Sequence, residues 1–307
     1  MKLYLHAQPF GLGPSVLALG MFDGVHLGHR KVLEEAQRIA QAKGLGLAAV
    51  SFDRHPLSVL RPEETPKLLT TNTEKAKLLN AIGVGALVLL RFDRDFAAQE
   101  PEEYLRFLKE KYAARHLVMG ENHRFGRDGK GNAETVAGLA QRLQLGLTVV
   151  RPQALDGAPV SSTRVRQALQ AGDLAVAAGL LGYLYHLQGA VVHGKGLGHG
   201  FGFPTINLGV SPDKQLPRYG VYGALARVGQ QVYRAVCNVG VRPTVNGESP
   251  SVEAFLLDFQ GDVYGERASL ALLDFYRPEM RFSSTQALSA QVARDAARAR
   301  RELPKPF

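Results

Sequence analysis

"PSVLALGMFDGVHLGHRKVLEEAQ", residues 14–37, decides the fold. "SVLALGMF" is an apolar run of strand character. Asp23, Gly24, His26, Gly28 and His29 interrupt it, and then Val32, Leu33, Ala36, Ile39 and Ala40 recur at helical spacing. Gly44 can close that helix in the left-handed C-cap position. The turn after a parallel strand lies at the carboxyl edge of its sheet, where open α/β folds take ligands. The start of the following helix offers unpaired N–H groups and the positive end of a dipole. Gly20, Gly24 and Gly28 let a ligand approach the backbone. His26 and His29, three apart, face the same way and can donate to phosphate oxygens and stabilise charge as a P–O bond breaks. The stretch reads as a nucleotide-phosphate site that uses histidines in place of a Walker lysine. The same pair could begin a zinc shell, but no cysteine cluster completes one.

Working outward, strand and helix keep taking turns. "LGLAAVSF" (45–52), "ALVLLRF", "HLVMG" and "LTVVRP" read as strands; "TEKAKLLNAIG", "EPEEYLRFLKEKY" and "NAETVAGLAQRLQLG" read as helices. Pro101 sits in the first turn of the second of these helices. Continuously apolar strands separated by helices predict a parallel sheet covered on both faces. From about residue 186 the helices stop. "HLQGAVVHG", "GVYGALARV", "QVYRAVCNVG", "SVEAFLLDF" and "RASLALLDFY" read as antiparallel strands joined by turns, and "STQALSAQVARDAARARRE" as a closing helix capped by Ser284 or Thr285. The expected division is residues 1–183 and 184–307, an α/β domain followed by an all-β domain.

The bulk numbers narrow the class. At 307 residues two domains are the default, and 45% hydrophobic with 21% charged residues excludes wholesale disorder. One cysteine, Cys237, cannot make an internal disulfide, which fits a reducing cytoplasm. His6, Gln8 and Pro9 interrupt the first apolar residues, so no signal peptide is expected, and "GALVLL" (85–90) is far too short to span a bilayer. The net charge of +9 fits either nucleic acid or polyanionic small molecules. The basic residues are scattered, and the densest cluster, "RDAARARRELPK", lacks interleaved aromatics to stack on bases. Small nucleotides are the expected partners, without nucleic acid or membrane; a homo-oligomer stays open.

"VSSTRVRQAL" (160–169) sets Ser161, Ser162 and Thr163 before a helix with Arg166 one turn in. A plain N-cap and a triphosphate site both fit this pattern. "GAVVHGKGLGHGFGFPTINL" (189–208) carries six glycines in its first fourteen residues. It is neither a Walker A loop, because Gly196 stands where Ser or Thr would bind Mg2+, nor a G-x-G-x-x-G turn. Thr205 and Asn207 share a face if the chain is extended, and a hydroxyl and an amide oxygen suit a hard cation shared with phosphate. A merely structural glycine-rich turn is the other reading.

Taken together, "GMFDGVHLGH" and "SSTRVR" resemble the nucleotidylyl transferase superfamily. "SFDRHP" (51–56), "LLTTNTEKAKLL" (68–79), "FDRDFAAQEPEEYL" (92–105) and "MGENHRFGRDGKGN" (119–132) resemble the FMN adenylyltransferase module of bacterial bifunctional FAD synthetases. That resemblance implies a Rossmann-like nucleotidylyltransferase domain. His26, His29, Ser162, Thr163 and Arg166 would hold ATP phosphates, and Gly20, Phe22, Asp23, Gly24, Gly28 and Asn122 would line the site. Two residues depart from the pattern: Arg54, where the family usually has Pro, and His123, where Phe is common.

"GFPTIN", "YGVYGA" (219–224), "NVGVRPTVNG" (238–247), "SVEAFLLDFQGDVYG" (251–265) and "FYRPEMRFSSTQAL" (275–288) resemble the riboflavin kinase domain, with Ile206 replacing the usual Ala. This second resemblance implies a compact antiparallel β-barrel with a terminal helix. Glu253 would be the catalytic base and Gly194, Gly198, Gly202, Pro204, Thr205 and Asn207 the ATP and phosphate site. Thr205 and Asn207 would also be metal ligands. The implied chemistry is riboflavin and ATP to FMN, then FMN and ATP to FAD, with Mg2+ at both sites. One inactive domain, or a nucleic-acid-binding protein on this scaffold, are the competing readings.

Overall fold

The structure, a computed structural model, describes residues 1–305 apart from residues 7, 9, 194–204 and 245–246. By internal contacts the chain forms two compact units, Met1–Ser162 and Thr163–Phe307.

The first unit runs β1 (Lys2–Leu5), β2 (Ser15–Leu19), α1 (Leu27–Lys43), β3 (Gly46–Phe52), α2 (Leu57–Leu60), α3 (Asn72–Ala81) and β4 (Ala86–Leu90). It continues through α4 (Arg94–Ala97), α5 (Pro101–Lys111), β5 (Ala114–Gly120), α6 (Ala133–Arg142), β6 (Gly146–Val150) and a short antiparallel hairpin, β7 (Ala154–Leu155) with β8 (Ala158–Pro159). Six strands make one parallel sheet in the order β1-β4-β3-β2-β5-β6. Along β2, Leu17 and Leu19 enter one core while Val16 and Ala18 enter another. Both faces are therefore covered, which is why the strand is apolar without alternation. Helix α1 buries Val32, Leu33, Ala36, Ile39 and Ala40, and Gly44 ends it at φ 61°.

The strand order fixes where a ligand can sit. From β2 the chain moves to β3 and β4 on one side, then crosses to β5 on the other. The reversal leaves a crevice above the carboxyl ends of β2 and β5, which are neighbours through Leu19 and Met119.

The second unit takes α7 (Ser162–Ala171) from Thr163 onward, then α8 (Leu174–Leu181), β9 (His186–Val192), β10 (Thr205–Gly209), β11 (Gly220–Val228), β12 (Gln231–Thr244), β13 (Gly247–Leu256), β14 (Arg267–Arg277) and α9 (Thr285–Glu302). The six strands close a barrel in the order β10-β13-β12-β11-β14-β9, with antiparallel pairing throughout. Ile206, Ala254, Cys237 and Tyr222 are aligned by register and buried in its interior. The opposite face of β11, β12 and β13 packs Val221 and Val236 against Ala296 and Ala299 of α9. Closure needs Gly189: a Cβ there would lie 2.2 Å from the Gly209 carbonyl oxygen. The expected classes, a parallel α/β sheet and then an antiparallel barrel with a terminal helix, are both present.

Two candidate active sites

In the first unit, Gly20 continues β2 by donating its N–H to Val50 O (3.1 Å). The chain then turns sharply. Phe22 (φ 50°), Gly24 (φ 81°) and Val25 (φ 39°) all adopt left-handed backbone. For a β-branched residue that geometry is strained, so the surroundings must impose it. They do so through Asp23. Its buried carboxylate accepts from Leu69 N (3.1 Å), Thr70 N (2.9 Å) and Thr70 Oγ1 (3.3 Å), while Gly24 N donates to Thr70 Oγ1 (2.9 Å). Ser162 Oγ donates to the Asp23 carbonyl (2.9 Å). The Asp23 side chain thus ties the turn to the segment before α3.

His26 is the N-cap of α1, and its Nδ1 accepts from His29 N (3.3 Å). That bond and the helical spacing stack the two rings, with centroids 3.6 Å apart and 14° between planes. Gly28 lies close beneath: a Cβ would come within 3.2 Å of the His26 ring and 3.3 Å of the Val160 carbonyl. His29 Nδ1 is buried with no hydrogen-bond partner. Burial first, then the neighbouring His26, Lys75 and His123, hold the His29 pKa well below the usual imidazole range. His123 follows β5 across the crevice and is itself pulled down to about 4 by burial and by Arg124. Asn122, beside it, is exposed at the same strand end. Arg54 is exposed and pairs with Asp53 (3.2 Å). Thr163 and Arg166 lie on α7 after Ser162.

One residue of this region escapes sequence reasoning. Lys75 on α3 is 1% exposed and donates to Ser51 Oγ (3.0 Å), which donates to Met21 O (2.8 Å). The available signal was its place four residues before the buried Leu79, on the helix face that packs inward.

In the second unit the register gathers the candidates. Asn207 of β10 stands opposite Glu253 of β13, which stands opposite Asn238 of β12. Directly opposed residues share a face, and Thr205, two before Asn207, shares it too. Ile206 points the other way, into the barrel. Thr205, Glu253, Asn238 and Phe255 line a cavity of about 490 Å³ beside α9. Thr205 also lines a second cavity of about 160 Å³ with Phe259, Asp262 and Tyr264. Gly194, Gly198, Gly202 and Pro204 lie outside the described residues.

Four further residues line the large cavity: Asn238, Arg277, Glu279 and Asp295. The first three lie in stretches that resemble the kinase domain but had no role assigned, and Asp295 lies in none of them. Asn238 Nδ2 donates to Glu279 Oε1 (3.2 Å). Arg277, at the end of β14, makes a buried ion pair with Asp295 of α9 (2.7 Å), and Gln291 Nε2 donates to the same carboxylate (2.8 Å). These bonds pin α9 as the cavity wall. Among the described residues no group of three or more His, Cys, Asp or Glu side chains could hold a metal ion, and no helix is long and apolar enough to cross a membrane.

Two family models match the chain: FAD synthetase over residues 11–164 and riboflavin kinase over residues 181–303. Curated relatives span nearly the whole chain. The bifunctional riboflavin kinase/FMN adenylyltransferase of Listeria monocytogenes is 35% identical over 282 residues, covering 91% of this chain and 90% of that protein. Its counterpart in Escherichia coli is 36% identical over 291 residues, covering 93% and 91%. A crystal structure described as a macrolide-efflux protein from Streptococcus pneumoniae superposes with a TM-score of 0.88 at 30% identity, covering 98% of this chain and 99% of that one.

Proposed function

The chain belongs to the bifunctional riboflavin kinase/FMN adenylyltransferase family, and on that premise we propose how its residues divide the two reactions. It phosphorylates riboflavin with ATP to FMN and adenylylates FMN with a second ATP to FAD and pyrophosphate. Residues 184–307 carry the first step and residues 1–183 the second. Small flavins and nucleotides are the partners.

For the kinase, the carrying observation is that Glu253, Thr205 and Asn207 share one face, with Glu253 and Thr205 lining one cavity. The large cavity takes the flavin and the small one, across Thr205, takes nucleotide. Glu253 removes the proton from the ribityl 5′-hydroxyl as that oxygen attacks the γ-phosphorus of ATP and ADP leaves. The glycine-rich segment with Gly194, Gly198, Gly202 and Pro204 holds the ATP phosphates. The hydroxyl of Thr205 and the amide oxygen of Asn207 are hard donors and suit Mg2+, which neutralises phosphate charge when bound.

For the adenylyltransferase, the stacked His26–His29 pair at the mouth of α1 carries the reading. An FMN phosphate oxygen attacks the α-phosphorus of ATP, and the bond to pyrophosphate breaks. The imidazoles stabilise the charge that develops on the phosphates, together with the backbone N–H groups opening α1. Gly20 and Gly24 leave room for the phosphates, and Phe22 and Asp23 hold the turn in shape. Ser162, bonded to the Asp23 carbonyl, and Asn122 after β5 complete the ATP contacts of the first unit; the family resemblance assigns Thr163 and Arg166 to the ATP phosphates as well. Neither step needs a covalent intermediate with the protein, so positioning and electrostatics supply the rate.

The test is product separation with two variants. Glu253→Ala should stop riboflavin-to-FMN conversion and leave FMN-to-FAD conversion intact. His29→Ala should do the reverse. Loss of both activities from either change, in a folded protein, would refute the assignment.

A further inference from the structure

Beneath the phosphate-binding turn lies a group the mechanism above does not use. Lys75 is buried to 1% exposure, and among the described residues Ser51 Oγ is the acceptor for its ammonium. An ammonium has three protons to donate. That acceptor is a neutral hydroxyl, and the nearby Asp23 carboxylate only partly offsets the cost of burying the charge, a cost that an apolar side chain would not carry. The charge therefore has a use at this place.

Its surroundings say what the use is. Ser51 passes the contact on to the carbonyl of Met21, the residue between Gly20 and the left-handed Phe22. The start of α3 is fixed by a capping box in which Thr71 and Glu74 bond each other's backbone N–H. The same segment clamps Asp23 through Leu69 and Thr70. So α3 grips the turn at two points, Asp23 from one side and Met21 from beneath. The titratable neighbours are Asp23 on the turn, Glu74 beside Lys75 on α3, and His29 on α1, whose pKa the lysine helps to lower. Burial pulls the Lys75 pKa down to about 8 against the pull of Asp23 in the other direction, so the group is charged at neutral pH and loses its proton in mild alkali.

We propose that Lys75 is a positioning residue for adenylyl transfer: it holds the Met21 carbonyl through Ser51 and sets a buried positive charge under the turn that receives the ATP phosphates. This rests on the reading that His26 and His29 hold those phosphates.

The experiment uses the full chain with Lys75→Met, Lys75→Arg, Ser51→Ala and His29→Ala. Initial rates of FAD formation from FMN and ATP are measured at pH 7 and 9, with riboflavin phosphorylation by the same preparations as control. Lys75→Met should raise the KM for ATP at least tenfold, lower kcat for FAD formation, and leave the kinase step unchanged. Met keeps the volume of the lysine stem, so a loss confined to FAD formation with little change in Tm marks positioning, whereas a lowered Tm without that change in KM for ATP marks a packing role. Lys75→Arg should keep the KM for ATP within threefold of wild type at pH 7 and hold it at pH 9, where the wild-type KM rises. Ser51→Ala should lower kcat severalfold with the KM for ATP unchanged.

Wild-type kinetics in Lys75→Met would overturn the proposal, as would equal damage in Lys75→Met and Lys75→Arg. Should Lys75→Met fail to fold, a flat wild-type KM for ATP from pH 7 to 9 would overturn it instead. The His29→Ala arm separates the two layers. If it leaves FAD formation unchanged, the reading of the site fails; if it abolishes FAD formation while Lys75→Met does not, only the role of Lys75 fails.

Discussion

Asp295→Ala would test whether α9 is a fixed wall of the kinase cavity. The Asp295 side chain is 8% exposed. One of its oxygens accepts from Arg277 Nη2 (2.7 Å) and Nε (3.1 Å), and the other from Gln291 Nε2 (2.8 Å) and, at 3.4 Å, from Arg277 Nε. Alanine removes all four acceptor contacts and leaves the Arg277 side chain, 17% exposed, without a counter-charge. Breaking a buried pair from one side costs about 3–5 kcal/mol, and the remaining exposure of Arg277 puts this case near the lower figure. In a unit of this size that is a fall of roughly 10 °C in Tm. The same change frees the helix that carries Thr285, Leu288, Ser289 and Val292 along the cavity, so the KM for riboflavin should rise severalfold. Heating the full chain in steps and then assaying both reactions reads the two effects at once. Kinase activity should be lost at lower temperature than in the wild type, and before heating FAD formation from FMN should match the wild type. Asp295→Asn keeps an acceptor for Arg277 but not the charge, and should fall between. If Asp295→Ala lost kinase activity at the wild-type temperature with an unchanged KM for riboflavin, the clamp would contribute nothing and the reasoning would fail.

Other outcomes follow from the same geometry. Glu253→Gln should lower kcat of the kinase step by about 10²–10⁴-fold while riboflavin binding, followed by flavin fluorescence, changes little; a fall under tenfold would remove Glu253 as the base. Gly189→Ala should separate β9 from β10, since its Cβ would strike a backbone oxygen rather than a side chain; the expected cost is about 1–3 kcal/mol in chemical denaturation, and an unchanged midpoint would show that the closure gives way. Gly240→Ala meets only the Glu279 carboxylate, 2.0 Å from the new Cβ, so it should displace that side chain from Asn238, raise the KM for riboflavin and leave stability nearly intact. In acid, His29 and His123 both have folded pKa values below the ordinary 6.5, His123 at about 4. The unfolded chain binds more protons in that range, so stability of the first unit is fully present above pH 6.5 and is lost as pH falls towards 4. The gap between urea midpoints at pH 7 and 5 should narrow in His123→Phe, with the His29 part remaining, and an equal acid loss in that variant would count against the assignment.

The sequence carried the architecture wherever one periodicity ruled a whole element. The buried face of α1, its left-handed Gly44 and Pro101 at the head of α5 all follow from local rules. β1 did not stand out: four residues at the sheet edge, with only Tyr4 buried, give no pattern before their pairing with β4 is known. α8 is almost wholly apolar, so it shows no amphipathic signal although Asp173 caps it. The sites divide in the same way. Stacking of His26 and His29 follows from a helix start and a spacing of three, which are local. The alignment of Asn207, Glu253 and Asn238 is set by register between distant strands, and the pairing of Arg277 with Asp295 by where α9 lands. Lys75 looks like a solvated charge until its neighbours are placed around it.

The row across β10, β13 and β12 also restricts how this chain can vary over time. Every strand in a closed barrel is bonded on both sides, and its side chains alternate with a period of two. A single residue inserted or deleted between Ser251 and Phe255 would turn Glu253 into the barrel and bring Ala254 out to the cavity. Substitutions around the base can accumulate one at a time, whereas a change in the length of β13 would remove the base and expose the core in one event. Tolerated insertions should therefore fall in the connecting loops, and the length of β13 should drift far less than its composition.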